Sequence, residues 1–322
     1  MHYSKWLLTI FLLWPAVAGA QYDPLAAGMA VQPPLDFTLH DEGRNRDIPV
    51  RVYVPADEGP HPVILFSHGL GGGRDNSVYL GQQWAAHGYV AVFMQHIGSD
   101  DSLWKDKGKL SALMSAKRAI NPENFILRLG DVKAVIDTLE QWNITRGHAL
   151  YTLMDLQHIG MSGHSFGAVT TQGVSGQVYP SATEQPTDSR IDAALVMSPS
   201  KPRQGDATLA FSKVNIPWLL MTGTKDEARI TDISVEDRLA VYPLLPPGGK
   251  YELVLDGAEH MAFSDTPPRG DAVRNPNHHR VIMAVSTAFF DAYLKDDRHA
   301  KDWLESGGIQ SVLEPNDRWQ YK

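Results

Sequence analysis

An apolar run, His158 to Met161, leads into Gly163-His164-Ser165-Phe166-Gly167, and a helix-compatible run follows from Ala168. The pattern G-x-S-x-G in that setting calls for a strand that turns sharply into a helix with a serine at the tip. A side chain at either flanking position would collide with the neighbouring strand and helix, so both are glycine. A glycine-rich turn of purely structural purpose carries the same letters, so the partners of Ser165 have to be found elsewhere in the chain. The strand–turn–helix unit already points to an α/β protein.

The rest of the chain repeats that alternation. Leu35 to His40 and Ile48 to Val54 read as two strands joined by a hairpin turn at Gly43-Arg44-Asn45-Arg46-Asp47. Pro62 to Phe66 reads as a buried strand, Asn76 to His87 as a helix stopped by Gly88, and Tyr89 to Met94 as a second buried strand. A polar stretch, Gln95 to Pro122, interrupts the pattern. Asn124 to Trp142 then has helical periodicity. Ile191 to Met197, Pro217 to Met221 and Tyr251 to Leu255 are further strands, the last of them closing the sheet, and Val281 to Leu294 is a long terminal helix. The expectation is a mostly parallel central sheet with an N-terminal antiparallel hairpin and helices on both faces.

Composition bounds the partners. With 322 residues, 43% of them hydrophobic, the chain can bury a large core without a metal or disulfide staple. A net charge of −8 leaves no basic stripe for phosphates, so no nucleic-acid partner is expected. Residues 1–20 read as a cleavable signal peptide: Lys5 is the positive region, Trp6 to Val17 the apolar region, and Ala18-Gly19-Ala20 the small residues before the cut. The apolar run is shorter than the roughly 20 residues of a spanning helix, so no stable membrane span is expected. The mature chain, 21–322, is expected to be one catalytic domain, secreted or periplasmic, with residues 95–122 read either as a cap segment or as ordinary helix packing. There is no cysteine, hence no thiolate nucleophile and no cysteine metal site, and neither a metal nor a cofactor is expected.

Ser165 needs a base, an acid and backbone donors. Where a serine sits on such a turn, the acid and then the histidine follow it along the chain. Of the 13 histidines, His260 lies just beyond the last expected strand, where a loop reaches across the sheet to Ser165. His278 and His279 are alternatives at the start of the terminal helix. His164 adjoins the nucleophile, so its side chain is expected to point elsewhere. Asp226 follows the penultimate strand and is the expected acid, with the adjacent Glu227 as fallback. The Ser67-His68-Gly69-Leu70-Gly71-Gly72-Gly73 loop follows the first buried parallel strand. Its glycines let the main chain approach a substrate closely. The expected oxyanion donors are the amides of Leu70 and of Phe166. His68 is expected to be a structural hydrogen-bonding residue. A phosphate cradle is the weaker reading of this loop, since neither the nucleotide-binding spacing nor a Lys-Ser/Thr ending is present.

These residues together resemble the α/β-hydrolase group of plasma-type platelet-activating factor acetylhydrolases, chlorophyllases and dienelactone hydrolase-like proteins. The resemblance runs from Arg44-Asn45-Arg46-Asp47-Ile48-Pro49-Val50-Arg51-Val52-Tyr53-Val54-Pro55 through Val63-Ile64-Leu65-Phe66-Ser67-His68-Gly69 and Gln95-His96-Ile97-Gly98-Ser99-Asp100. It continues over Arg128 to Leu139 and the Ser165 turn. It implies an α/β-hydrolase fold and a serine esterase acting on a small-molecule or lipid-like ester. Two departures bear on what carries over. Dienelactone hydrolases proper use cysteine, which this chain lacks. The plasma acetylhydrolases place their acid one strand earlier, where this chain reads Met197-Ser198-Pro199-Ser200 with no carboxylate. The expected reaction is ester cleavage through an acyl-enzyme. A peptidase or amidase acting on small amides, or a non-catalytic binding protein of the same fold, are the competing readings.

Overall fold

The computed structural model describes residues 22–203, 205–228, 230–266 and 274–322. The expected signal peptide, 1–20, lies outside them. The chain opens with β1 (Leu35–Asp41) and β2 (Arg46–Tyr53), the antiparallel hairpin read from the sequence. Then come β3 (His61–Ser67), α1 (Val78–Ala86) and β4 (Val90–Met94). The polar interruption holds a 3-10 turn, Asp101–Leu103, and α2 (Lys109–Ala119), and it leads into the 23-residue α3 (Pro122–Ile144). Asn121 caps α3 by accepting the Asn124 amide, and Pro122 stands at its first position, where no donor is needed.

The second half runs β5 (Met154–His164), α4 (Phe166–Val174), β6 (Ile191–Met197), α5 (Ala207–Phe211) and β7 (Trp218–Lys225). The short helices α6 (Val235–Leu239) and α7 (Val241–Leu244) precede β8 (Lys250–Glu259). The chain ends with α8 (Pro276–Leu294), α9 (Arg298–Glu305) and β9 (Arg318–Tyr321).

The nine strands among the described residues form one sheet in the order β1-β2-β4-β3-β5-β6-β7-β8-β9. The six from β4 to β8 across its middle are parallel, and both edges are antiparallel. The far edge corrects the sequence reading, in which β8 was the last strand. β9 is only four residues long, and its Trp319 stacks on Tyr251 of β8 with ring centroids 5.5 Å apart.

The period-two alternation of the strands sorts their side chains to two faces. Ile64, Phe66, Phe93, Leu195, Leu219 and Leu253 face α1, α8 and α9. Val63, Leu65, Val92 and Met161 face α3. Farther along that second face, Val196 and Leu220 meet Ala168 of α4, Phe211 of α5 and Val241 of α7. This is an α/β-hydrolase fold, covered on both faces as such a sheet must be. Strand order reverses between β3 and β5, and the carboxyl ends flanking such a reversal are where open α/β sheets place their sites. Here those ends carry the Ser67–Gly73 loop and Ser165.

Candidate active site

The end of β5 explains why the turn needs its sequence. A Cβ on Gly163 would lie 2.3 Å from the Gly167 carbonyl oxygen, and a Cβ on Gly167 would lie 1.8 Å from the Ser67 carbonyl oxygen. Both contacts are with backbone, so neither position tolerates a side chain. Ser165 itself has φ 58° and ψ −113°, a conformation L-residues avoid, and its amide is tied to the Met197 carbonyl at 3.0 Å. The strained turn lifts Oγ out of the sheet while α4 begins immediately behind it.

The three side chains singled out in the sequence meet. Ser165 Oγ lies 2.9 Å from His260 Nε2, and His260 Nδ1 lies 2.7 Å from Asp226 Oδ1. They come from the ends of β5, β7 and β8, separated by up to 95 residues of chain. With Nδ1–H donating to the carboxylate, Nε2 is left free to accept the serine proton. Asp226 is fully buried, whereas the His260 side chain is 18% exposed. Burial alone would push the Asp226 carboxyl up. The His260 hydrogen bond, the Arg238 charge and the Ser198 hydroxyl outweigh that and bring it down to about 2. The alternatives stand apart: Glu227 is exposed, His278 donates to the Asp256 carbonyl, and His279 stacks on Tyr79.

Three contributors around this array were not read from the sequence. Ser198 occupies the place just past β6 where no carboxylate was found, and its hydroxyl donates to Asp226 Oδ2 at 2.7 Å, beside Thr222 at 2.9 Å. Arg238 is buried, pairs with the Asp226 carboxylate at 2.9 Å from Nε to Oδ1, and donates to the Asp226, Ser198 and Pro199 carbonyls. One guanidinium thus ties the acid loop to the end of β6. The third contributor is His164, whose ring was expected to point elsewhere. Instead it lies against the His260 ring, with centroids 4.8 Å apart, and Nε2 donates to the His260 carbonyl at 2.9 Å. Burial, reinforced by the neighbouring His260, pulls the His164 imidazole down to about 3. It is therefore a neutral strut for the His260 backbone.

The glycine loop reaches the nucleophile. A Cβ on Gly69 would lie 3.4 Å from Ser165 Cβ. The amides of Leu70 and Phe166, the two donors expected for an oxyanion, have no acceptor among the described residues. Phe166 is the first residue of α4, where an amide has no partner within its own helix. Residues 95–122 sit over the far end of the loop: Trp104 Nε1 donates to the Gly71 carbonyl at 2.9 Å, and Asp100 bridges to Gly72. Among them Leu103 is buried, whereas Trp104, Leu110, Leu113 and Met114 are exposed.

A second array lies beneath the loop. Ser67 Oγ is 2.8 Å from His96 Nε2, and His96 Nδ1 is 2.9 Å from Asp131 Oδ2. Asp131 also receives Arg46 at 2.7 Å and Arg44 at 3.0 Å. Burial would push the Asp131 carboxyl up, but hydrogen bonds from His96 and Arg46 outweigh it and hold the carboxyl well below its ordinary value. Burial, with the Arg128 charge, pulls His96 down to about 4. His68 is also fully buried and accepts the His96 amide at Nε2, the structural role expected of it.

The fold defines the class, an α/β-hydrolase. Residues 49–108 match a family described as platelet-activating factor acetylhydrolase, isoform II, which is the resemblance read from the sequence motifs. That stretch runs from β2 to the edge of α2 and contains the Ser67–Gly73 loop and His96 but not the Ser165 turn. No curated protein matches the chain.

Proposed function

We propose that this protein is a serine ester hydrolase that works through an acyl-enzyme on Ser165. The observation that carries the reading is the continuous hydrogen-bonded chain from Ser165 Oγ through His260 to Asp226, beside two amides that have no acceptor among the described residues. His260 takes the Oγ proton as Ser165 attacks an ester carbonyl, and Asp226 stabilises the imidazolium that forms. The Leu70 and Phe166 amides receive the tetrahedral oxyanion, an interaction whose loss for one donor costs on the order of 100–1,000-fold in turnover. His260 then gives its proton to the leaving alcohol. Water enters by the same base, and the acid leaves.

The family match over residues 49–108 supports a lipid-like ester as substrate. Residues 21–322 are taken as one catalytic unit, because a single sheet carries every site residue. Residues 95–122 form its cap. Among the described residues no helix is long and apolar enough to cross a membrane. The pattern of residues 1–20 supports export with cleavage before Gln21, which the N-terminal sequence of the secreted or periplasmic protein tests. The enzymatic reading is tested with p-nitrophenyl esters of rising chain length and matched anilides. Turnover of the esters that disappears in Ser165→Ala is expected. Faster cleavage of the anilides would favour a peptidase, and no turnover of either by the wild type would favour a binding protein.

A further inference from the structure

Arg128, on α3, is fully buried, yet no carboxylate lies within salt-bridge distance of its guanidinium among the described residues. A charge taken out of water without a direct counter-ion is costly and needs hydrogen bonds on every side. Those around Arg128 come from two places. Nε donates to Ser99 Oγ at 2.9 Å, in the loop after β4. One terminal nitrogen donates to the His68 carbonyl at 2.8 Å and reaches Ser67 Oγ at 3.3 Å, both at the root of the glycine loop. The guanidinium carbon lies over the Phe166 ring, 4.2 Å from its centroid.

The two halves of the expected oxyanion site therefore share one buried cation. His68 lies two residues before Leu70, and Phe166 carries the other donor on its own backbone. We propose that Arg128 is a positioning residue that sets the spacing and aim of the Leu70 and Phe166 amides by clamping the His68 carbonyl on one side and the Phe166 ring on the other. This rests on the acyl-transfer reading of Ser165. The planar fork suits the task, because it makes in-plane bonds and stacks at once, which an ammonium cannot do. A clamp of this kind acts on the transition state more than on the ground state, since donors aimed at the oxyanion matter most when charge develops there. A displacement of about 1 Å in such groups is enough to cost about 100-fold.

The test uses the full-length enzyme, two variants and a pair of inhibitors. Arg128→Lys keeps the charge and removes the fork. Phe166→Leu keeps the backbone donor, removes the stacking surface and leaves the half-buried position filled. For each, kcat and KM on a short-chain aryl ester are measured, with affinity for a trifluoromethyl ketone and for its matching alcohol, which forms no oxyanion. Both variants are expected to lose about 10- to 100-fold in kcat with KM within about threefold, and to lose ketone affinity while alcohol affinity stays. The double variant is expected to lose less than the product of the two single losses, as for one shared contact. A kcat within threefold of wild type in a folded Arg128→Lys variant, with only a lowered Tm, would overturn the proposal. If Arg128→Lys does not fold, Phe166→Leu decides alone, and a kcat within threefold there overturns it. A wild-type enzyme that neither turns over the ester nor takes up a fluorophosphonate on Ser165 would instead sink the acyl-transfer reading, and this inference with it.

Discussion

Among the described residues, two serines face an imidazole backed by an aspartate, and both stand at the carboxyl ends of neighbouring strands. In Ser165–His260–Asp226 the distances are 2.9 and 2.7 Å, and in Ser67–His96–Asp131 they are 2.8 and 2.9 Å. Hydrogen-bond geometry alone does not separate them. Surroundings do. The His260 side chain is 18% exposed, and Ser165 projects from a strained turn beside amides without acceptors among the described residues. Ser67 and His96 are sealed, and the Ser67 hydroxyl is already engaged by Arg128. Asp226 answers to His260 and one arginine, whereas Asp131 anchors two arginines and a histidine. On the acyl-transfer reading, a Ser–His–Asp relay serves as a reaction centre only where the serine is open and charge developing on the substrate has donors waiting. The same relay closed over is a structural brace.

Ser165→Ala should break the comparison most sharply. Turnover is expected to fall by about 10⁴- to 10⁶-fold with the melting temperature little changed. Ser67→Ala should do the reverse, lowering stability by about 1–3 kcal/mol because it strands buried polar partners, while turnover falls by no more than about tenfold. Equal losses of turnover in the two would erase the distinction. The acids should divide the same way. Asp226→Asn leaves His260 in the wrong tautomer and should cost about 10⁴-fold in kcat. Asp131→Asn takes the counter-charge from the partly buried Arg46 and Arg44 and should cost about 1–3 kcal/mol of stability, read from urea unfolding.

Much of the open array was legible in the sequence because its signals are local. The Ser165 turn announces itself in five consecutive residues, and Asp226 and His260 each follow an apolar run that reads as a strand. The supporting residues were not legible, because their partners are remote. Arg128 and Ser67 are 61 residues apart, Arg238 and Ser198 are 40, and His164 meets the His260 carbonyl across 96. Only the register of the sheet brings them together. The helix α2 escaped notice for a different reason: its buried face is Ala112, Ala116 and Ala119, too small to raise an apolar signal above the lysines around it. The edge strand β9 offers one half-buried tryptophan in four residues.

A smaller effect concerns pH. Burial first of all, with a neighbouring charge, pulls His96 down to about 4 and His164 down to about 3, from an ordinary value of 6.5. Both are neutral in the folded chain, so below pH 6.5 the unfolded chain binds more protons and stability falls with pH. It is fully present above 6.5 and declines toward 4 and 3, with a slope of up to about 1.4 kcal/mol per pH unit for each group. Urea unfolding at pH 7 and pH 5 should show the drop, and His96→Asn should flatten part of it. A stability unchanged between these two values would contradict the neutral buried imidazoles. Smaller still, Ser198→Ala removes one of the hydroxyls holding Asp226. It should lower kcat by about 3- to 10-fold without moving KM, as a change in the orientation of the acid would.

The most direct test of the central claim is to locate the covalent adduct. Wild-type protein, Ser67→Ala and Ser165→Ala are each treated with a fluorophosphonate and digested, and the peptides are read by mass spectrometry. One adduct per chain on Ser165 is predicted in wild type and in Ser67→Ala, with none in Ser165→Ala. Modification of Ser67, or an unmodified Ser165 in folded wild-type protein, would contradict the assignment of the open array as the reaction centre.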